Sequence, residues 1–154
     1  MDFSISPEDM TKLKEITENI VWIDHHYTAI EKNKGIHDDV PGIRYSNDEF
    51  QLSGAALTYI WTNVIIASPE SVKVPFINMS VGSARAWFVN MPPIIQYVSA
   101  YDTWQHHLLE GVTEFHAGMD MIEKARVDPP DAKCMLFLLS DGMANGIYEL
   151  STIK

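Results

Sequence analysis

The sequence predicts an α/β fold: a parallel sheet in the N-terminal part, then a helical C-terminal segment. Three observations carry that expectation. "IVWI" at residues 20–23 is a continuous apolar run, the pattern of a strand covered on both faces. An amphipathic stretch with a capping signal, residues 6–19, leads into it. A short β-compatible "DFSI" at residues 2–5 precedes that stretch, so strand, helix and strand follow one another as in a βαβ unit.

The elements follow in order. In "SPEDMTKLKEITEN" Ser6 is placed to cap, Pro7 suits the first helical position, and Glu8 and Asp9 favour the positive end of the dipole. Met10, Leu13, Ile16 and Ile20 form its apolar face, and Asn19 is the expected terminator. "EKNKGIHDDVPG" reads as a surface loop and "IRYSN" as a short strand. "SGAALTYIWTNVIIA" reads as a helix capped by Ser53, and "VPFINMSVGSARAWFVN" as one helix or two. Pro92 and Pro93 start a further helix that ends near Asp102. From about Glu114 the expectation is helical segments broken at "VDPPD" and near "SDGMANG", with Met119, Met121, Met135 and Met143 filling core gaps.

Composition narrows the functional classes. A chain of 154 residues, 46% hydrophobic, suits one domain with a substantial core. A net charge of −10 argues against a grip on long duplex nucleic acid, leaving small anions or short oligonucleotides as the expected partners. No run reaches the ~20 apolar residues a membrane span requires. The N-terminus lacks the basic and apolar regions of a secretory signal, and there is a single cysteine; both point to the cytoplasm.

"VWIDHHY" concentrates the chemistry. In open α/β sheets ligands bind beyond the carboxyl ends of the strands, where Asp24, His25 and His26 leave the apolar run. Adjacent histidines point in different directions, one toward a metal and one toward a substrate, and imidazole with carboxylate suits Mn²⁺, Zn²⁺ and related ions. Asp102, in "SAYDTWQHH", is a surface aspartate or a second ligand. A carboxylate faces the negative end of the dipole there, and a bound cation removes the penalty. His106 and His107 read as solvent or interface residues. The small residues at Ser53 and Gly54 serve close packing or the approach of an anion to free backbone N–H groups. Asp2 lies one strand–helix unit before Asp24, so parallel neighbours would bring both carboxylates to one edge. No Gly-rich phosphate loop, GxSxG, HExxH or CxxC is present, and Cys134 falls on an apolar helical face in "AKCMLFLL".

"MDFSISPEDMTKLKEI", "WIDHH", "SGAALTYIW" and "VSAYDTWQH", in that order along the chain, resemble the motifs of the DHH phosphoesterases. That family includes nanoRNase and pAp phosphatase enzymes, single-strand exonucleases and family II pyrophosphatases. The resemblance implies a Rossmann-like parallel-sheet DHH domain and a two-ion Mn²⁺ site. In it Asp2 bridges the ions, His25 and Asp102 bind one of them, His26 faces the substrate phosphate, and Asp24 supports the loop. His26 and Asp24 are then the expected catalytic residues, and Ser53 and Gly54, where their small size serves an anion rather than packing, the further substrate-binding positions. The family's upstream DxD-type motif and its C-terminal substrate-binding domain have no counterpart here. The expectation is therefore a single, partial domain spanning residues 1–154, holding two ions or one.

The expected activity is metal-assisted attack of water on phosphoester or phosphoanhydride bonds of nucleotides or short oligonucleotides. The alternative is a non-catalytic metal- or nucleotide-binding module, completed by a second copy or by a chain supplying the upstream carboxylates.

Overall fold

A computed structural model describes residues 5–67 and 79–125, together with the backbone at 137–138 and 146–147. The described part is mixed α/β: six α-helices and a small two-stranded parallel sheet. Asp2, most of the first expected strand and Cys134 lie outside the described residues.

Helix α1 spans Pro7–Ile16 and starts as its sequence dictates. The Ser6 hydroxyl oxygen accepts from the Asp9 N–H at 3.1 Å and its own proton goes to the Asp9 carboxylate at 2.8 Å, a reciprocal cap. The helix stops at Thr17, before Asn19, because extended Thr17 turns its hydroxyl to accept from the Asn19 N–H at 3.1 Å. Met10 is the buried contact and packs with Trp22 and Val40; Ile16, at the end of the expected apolar face, is exposed.

Strand β1 (Trp22–Asp24) pairs in parallel with β2 (Gly42–Arg44), in the register Trp22 with Gly42, Ile23 with Ile43 and Asp24 with Arg44. Helix α2 (Tyr27–Asn33) lies between them in sequence. The sequence pattern gave no sign of α2, because its seven residues complete less than two turns of periodicity. Two buried residues one turn apart, Ala29 and Asn33, anchor it, and the Asn33 side chain donates to the Ala29 carbonyl at 2.9 Å.

The segment after α2 is more than a surface loop. His37 and Val40 are buried, and a His37 ring nitrogen meets the Pro7 carbonyl at 3.0 Å. Arg44 grips the loop from β2, donating to the carbonyls of His37 (3.1 Å) and Val40 (2.7 Å) while its guanidinium lies 4.2 Å from the centre of the Trp22 ring. Lys14 reaches Asp39 at 2.7 Å and ties α1 to the same loop.

Helix α3 (Gly54–Ala67) packs against both strands and against α5. Its buried Leu57 and Ile60 join Ile43, Leu52 and Phe88 in the main core, and each such side chain contributes roughly 1.5–3 kcal/mol by leaving water. The stretch read as one helix or two contains α4 (Val81–Asn90); residues 68–78 lie outside the description. Helix α5 (Pro93–Asp102) begins and ends where the prolines and Asp102 placed it, and α6 (Val112–Ala125) packs on it. The expected helical tail is corrected at two points. Phe137–Leu138 (β3) pairs antiparallel with Gly146–Ile147 (β4), joining an apolar β-compatible pair to a segment that begins at an Asn-Gly turn signal. Among the described residues no helix is long and apolar enough to cross a membrane.

Helix α5 closes with a Schellman turn. The Gln105 N–H donates to the Ala100 carbonyl at 2.8 Å and the Trp104 N–H to Tyr101 at 3.1 Å. The left-handed residue of that turn is Trp104, φ 57°, where glycine is usual and an L side chain costs about 1–2 kcal/mol.

Gly42 has φ 147°, and a Cβ added there would run into the Trp22 carbonyl oxygen across the strand pair. Gly42→Ala is expected to destabilise the protein by about 1–3 kcal/mol or more in urea denaturation. Gly35, φ 75° with open space around it, supplies the control: Gly35→Ala should cost about 1 kcal/mol. Equal losses for the two would mean that the close β1–β2 approach at Gly42 is not what demands glycine.

Candidate functional site

The site begins with side-chain alternation along β1. Trp22 and Asp24, two residues apart, share a face of the strand. The Trp22 indole donates to one Asp24 carboxylate oxygen at 3.2 Å. The other oxygen accepts from the His26 backbone N–H at 2.9 Å and meets the His26 Nδ1 at 2.8 Å. Asp24 is 5% exposed, so these donors replace the water a carboxylate would otherwise need. The bond from the N–H two residues on is an Asx turn, and it steers the chain off the strand into α2, whose first bonds run to the His26 carbonyl. Arg44, opposite Asp24 in register, adds positive charge nearby. Burial lowers the guanidinium pKa, with Asp38 and Asp24 pulling the other way.

Asp24 thereby orients His26. A carboxylate on Nδ1 favours the neutral tautomer with its proton there and its lone pair on Nε2. His25 turns elsewhere: its Nε2 lies 3.8 Å from Asp102 Oδ2, with the two side chains 11% and 20% exposed. The imidazole rings touch at a centroid separation of 4.2 Å and an angle of 58°. The adjacent rings thus lie in contact, with Asp24 at His26 Nδ1 and Asp102 near His25 Nε2. Asp102, the last residue of α5, stands at the negative end of the dipole with an imidazole facing it. When protonated, His25 is itself the cation that this position favours.

Ser53 is buried. Its hydroxyl accepts from the Ala56 N–H at 3.2 Å, the expected cap, and its own N–H donates to the Ser99 hydroxyl at 3.0 Å. Gly54, partly exposed, opens α3, and its carbonyl accepts from the Thr58 hydroxyl at 2.8 Å. Ser99 sits on α5 one turn before Asp102, so the start of α3 is tied to the helix that carries Asp102. A second tie runs through Gln105, whose side-chain amide donates to the Gln51 carbonyl at 2.9 Å and accepts from the Gln51 N–H at 3.3 Å.

Of the residues read from the sequence, the structure thus brings Asp24 to His26 and His25 to Asp102, and ties Ser53 to the same helix. Sequence reasoning missed the supports: Trp22, Arg44, Ser99 and Gln105. Two of them carried a usable signal, because Trp22 lies at the period of two from Asp24 and Ser99 one helical turn before Asp102. Arg44 and Gln105 act on residues distant in sequence and carried none.

Among the described residues no group of three His, Cys, Asp or Glu side chains converges to hold a metal ion. His25 and Asp102 nonetheless suit such an ion as a partial donor set. Imidazole nitrogen and carboxylate oxygen match Mn²⁺ in kind, and their 3.8 Å separation is under the roughly 4.2 Å that two metal–ligand bonds span.

Asp24→Ala removes an acceptor that three donors use, and is expected to cost about 1–3 kcal/mol in urea denaturation. In ¹⁵N spectra of the imidazoles the same variant should lose the Nδ1–H preference of His26. An unchanged tautomer ratio would mean that Asp24 does not orient the ring. The chain matches no family model, no curated protein and no solved structure, so these side chains alone carry the chemical argument.

Proposed function

We propose that the chain is a Rossmann-like DHH-type phosphoesterase domain, acting in the cytoplasm with Mn²⁺ on phosphoester or phosphoanhydride bonds of nucleotides or short oligonucleotides. The observation that supports this most is the meeting of His25 with Asp102 beside the Asp24–His26 pair. These are residue types a hydrolytic metal site uses, from two elements far apart in sequence. In this reading His25 and Asp102 would hold one ion, and Asp2, outside the described residues, would be a further carboxylate ligand. When bound, the metal supplies activation of water and neutralisation of charge on the phosphate. His26, its ring held by Asp24, would face the phosphate. The positive end of the α3 dipole at Gly54 favours the same anion, while Ser53, its hydroxyl and N–H engaged internally, positions the start of α3.

A second reading makes His25–Asp102 a structural pair in a non-catalytic module. It is favoured by the low exposure of both side chains, which lets the pair tie β1 to α5 with no ligand.

Calorimetry with Mn²⁺ separates the two. The first reading expects binding that is lost in His25→Ala and Asp102→Ala, with metal-dependent hydrolysis falling about a hundredfold or more and abolished in the parent by EDTA. Mn²⁺ at a hundred times its Kd should stabilise the parent by about 2.7 kcal/mol and leave His25→Ala unmoved. Equal hydrolysis by parent and both variants would refute the assignment. Loss of stability in the variants without any Mn²⁺ binding would select the structural pair.

A further inference from the structure

Trp104 is at odds with its own backbone. It occupies the left-handed position of the Schellman turn that ends α5, with φ 57°, where glycine carries no steric penalty. A bulky side chain in that region is an outlier that its surroundings must offset. Burial does not offset it here, because the residue is 82% exposed. What the indole does contact is flat. It stacks on His106 at a centroid distance of 5.8 Å and 19° between planes, and His106 stacks on Tyr101 at 5.3 Å and 10°. Tyr101 in turn meets His116 at 3.5 Å and 47°. The rings back one another in a row, and the exposure of Trp104 at the end of that row leaves indole surface open to solvent. Gln105, the next residue, is clamped to Gln51 and holds the turn in place.

The row is carried by the end of α5 and the turn that follows Asp102. Trp104 is two residues beyond Asp102, at most about 7 Å of extended chain. A single nucleotide bridges a gap of that order between its phosphate and its base. The acidic chain lacks the basic track that a long strand requires, so one base suits this platform better than a polymer. A base needs a rigid π-face, and a face fixed by a turn and a stack has already lost the freedom that binding would otherwise remove.

We infer that the exposed face of Trp104, backed by His106 and Tyr101, is a stacking platform for the base of a nucleotide whose phosphate lies at His25 and His26. The inference rests on the proposed phosphate site for its second half and names the substrate as a nucleoside monophosphate or a terminal nucleotide. Stacking is selective for the presence of a base and tolerant of which base it is.

Calorimetric titration of the full chain, in Mn²⁺ buffer, with adenosine 5′-monophosphate, ribose 5-phosphate and adenosine tests it. The parent should bind the nucleotide about 5- to 150-fold tighter than ribose 5-phosphate, the range one base–aromatic stack supplies. Trp104→Gly should erase that preference while melting at the parent's temperature or above it, and Trp104→Phe should keep most of it. Equal affinity for nucleotide and sugar phosphate in the parent overturns the platform, even if both are hydrolysed and the phosphoesterase reading stands. Failure of all three probes to bind overturns it as well. So does a Trp104→Gly variant that melts lower with its nucleotide affinity unchanged, since the indole is then a structural group. A Trp104-dependent preference, with adenosine bound and no effect of His25→Ala on the nucleotide, keeps the platform and removes the phosphate site.

Discussion

A carboxylate taken out of water must be given donors, and Asp24 is the place where the fold meets that demand most fully. Trp22 supplies an indole N–H from the same strand face, and His26 supplies a backbone N–H and a ring nitrogen from the turn that follows. Each donor has a structural consequence. The indole locks Trp22 against the guanidinium of Arg44, which grips the loop leading into β2. The backbone bond directs the chain into α2. The ring bond sets the orientation of His26. One buried charge therefore couples the strand pair, the crossover and the chemistry at its end.

The opposite wall of the site depends on α5. This helix delivers Asp102 at its last residue, receives the start of α3 through Ser99, and continues into a turn clamped by Gln105. The clamp works because a glutamine amide carries one donor and one acceptor in a plane, as a peptide does, so it pairs with the Gln51 backbone as a strand would. The walls belong to different layers, the parallel strands and the helices above them, with α3 packed against both. His25 and Asp102 meet across that junction. Such an arrangement suits a site that must be stiff, since its groups are set by elements rather than by a free loop.

Local signals were legible where physics is local. Ser6, Pro7 and the acidic first turn placed α1, the paired prolines placed α5, and Ser53 caps α3 as its residue type predicts. The uninterrupted apolar run placed β1 to within two residues. Reading failed where an element is too short to show a period, as in α2, or where burial overrides polarity, as at His37 in a loop that looks solvent-facing. At the C-terminal end apolar residues were assigned to helix, and Phe137–Leu138 found a strand partner instead, because short apolar runs fit either state until a partner exists.

By itself the sequence determined which residues can do chemistry and which element ends they occupy. Caps, prolines and apolar runs act within a few residues of themselves, so Asp24, His25 and His26 at a strand end and Asp102 at a helix end were readable from spacing. Only the tertiary structure decided who faces whom across the chain: His25 with Asp102, Ser53 with Ser99, Gln105 with Gln51, Gly42 beneath the backbone of Trp22. Those pairings join positions that local propensity cannot couple. They form because burying the apolar faces of α3 and α5 against the sheet brings the polar groups at the ends of those elements to one edge, where each must find a partner.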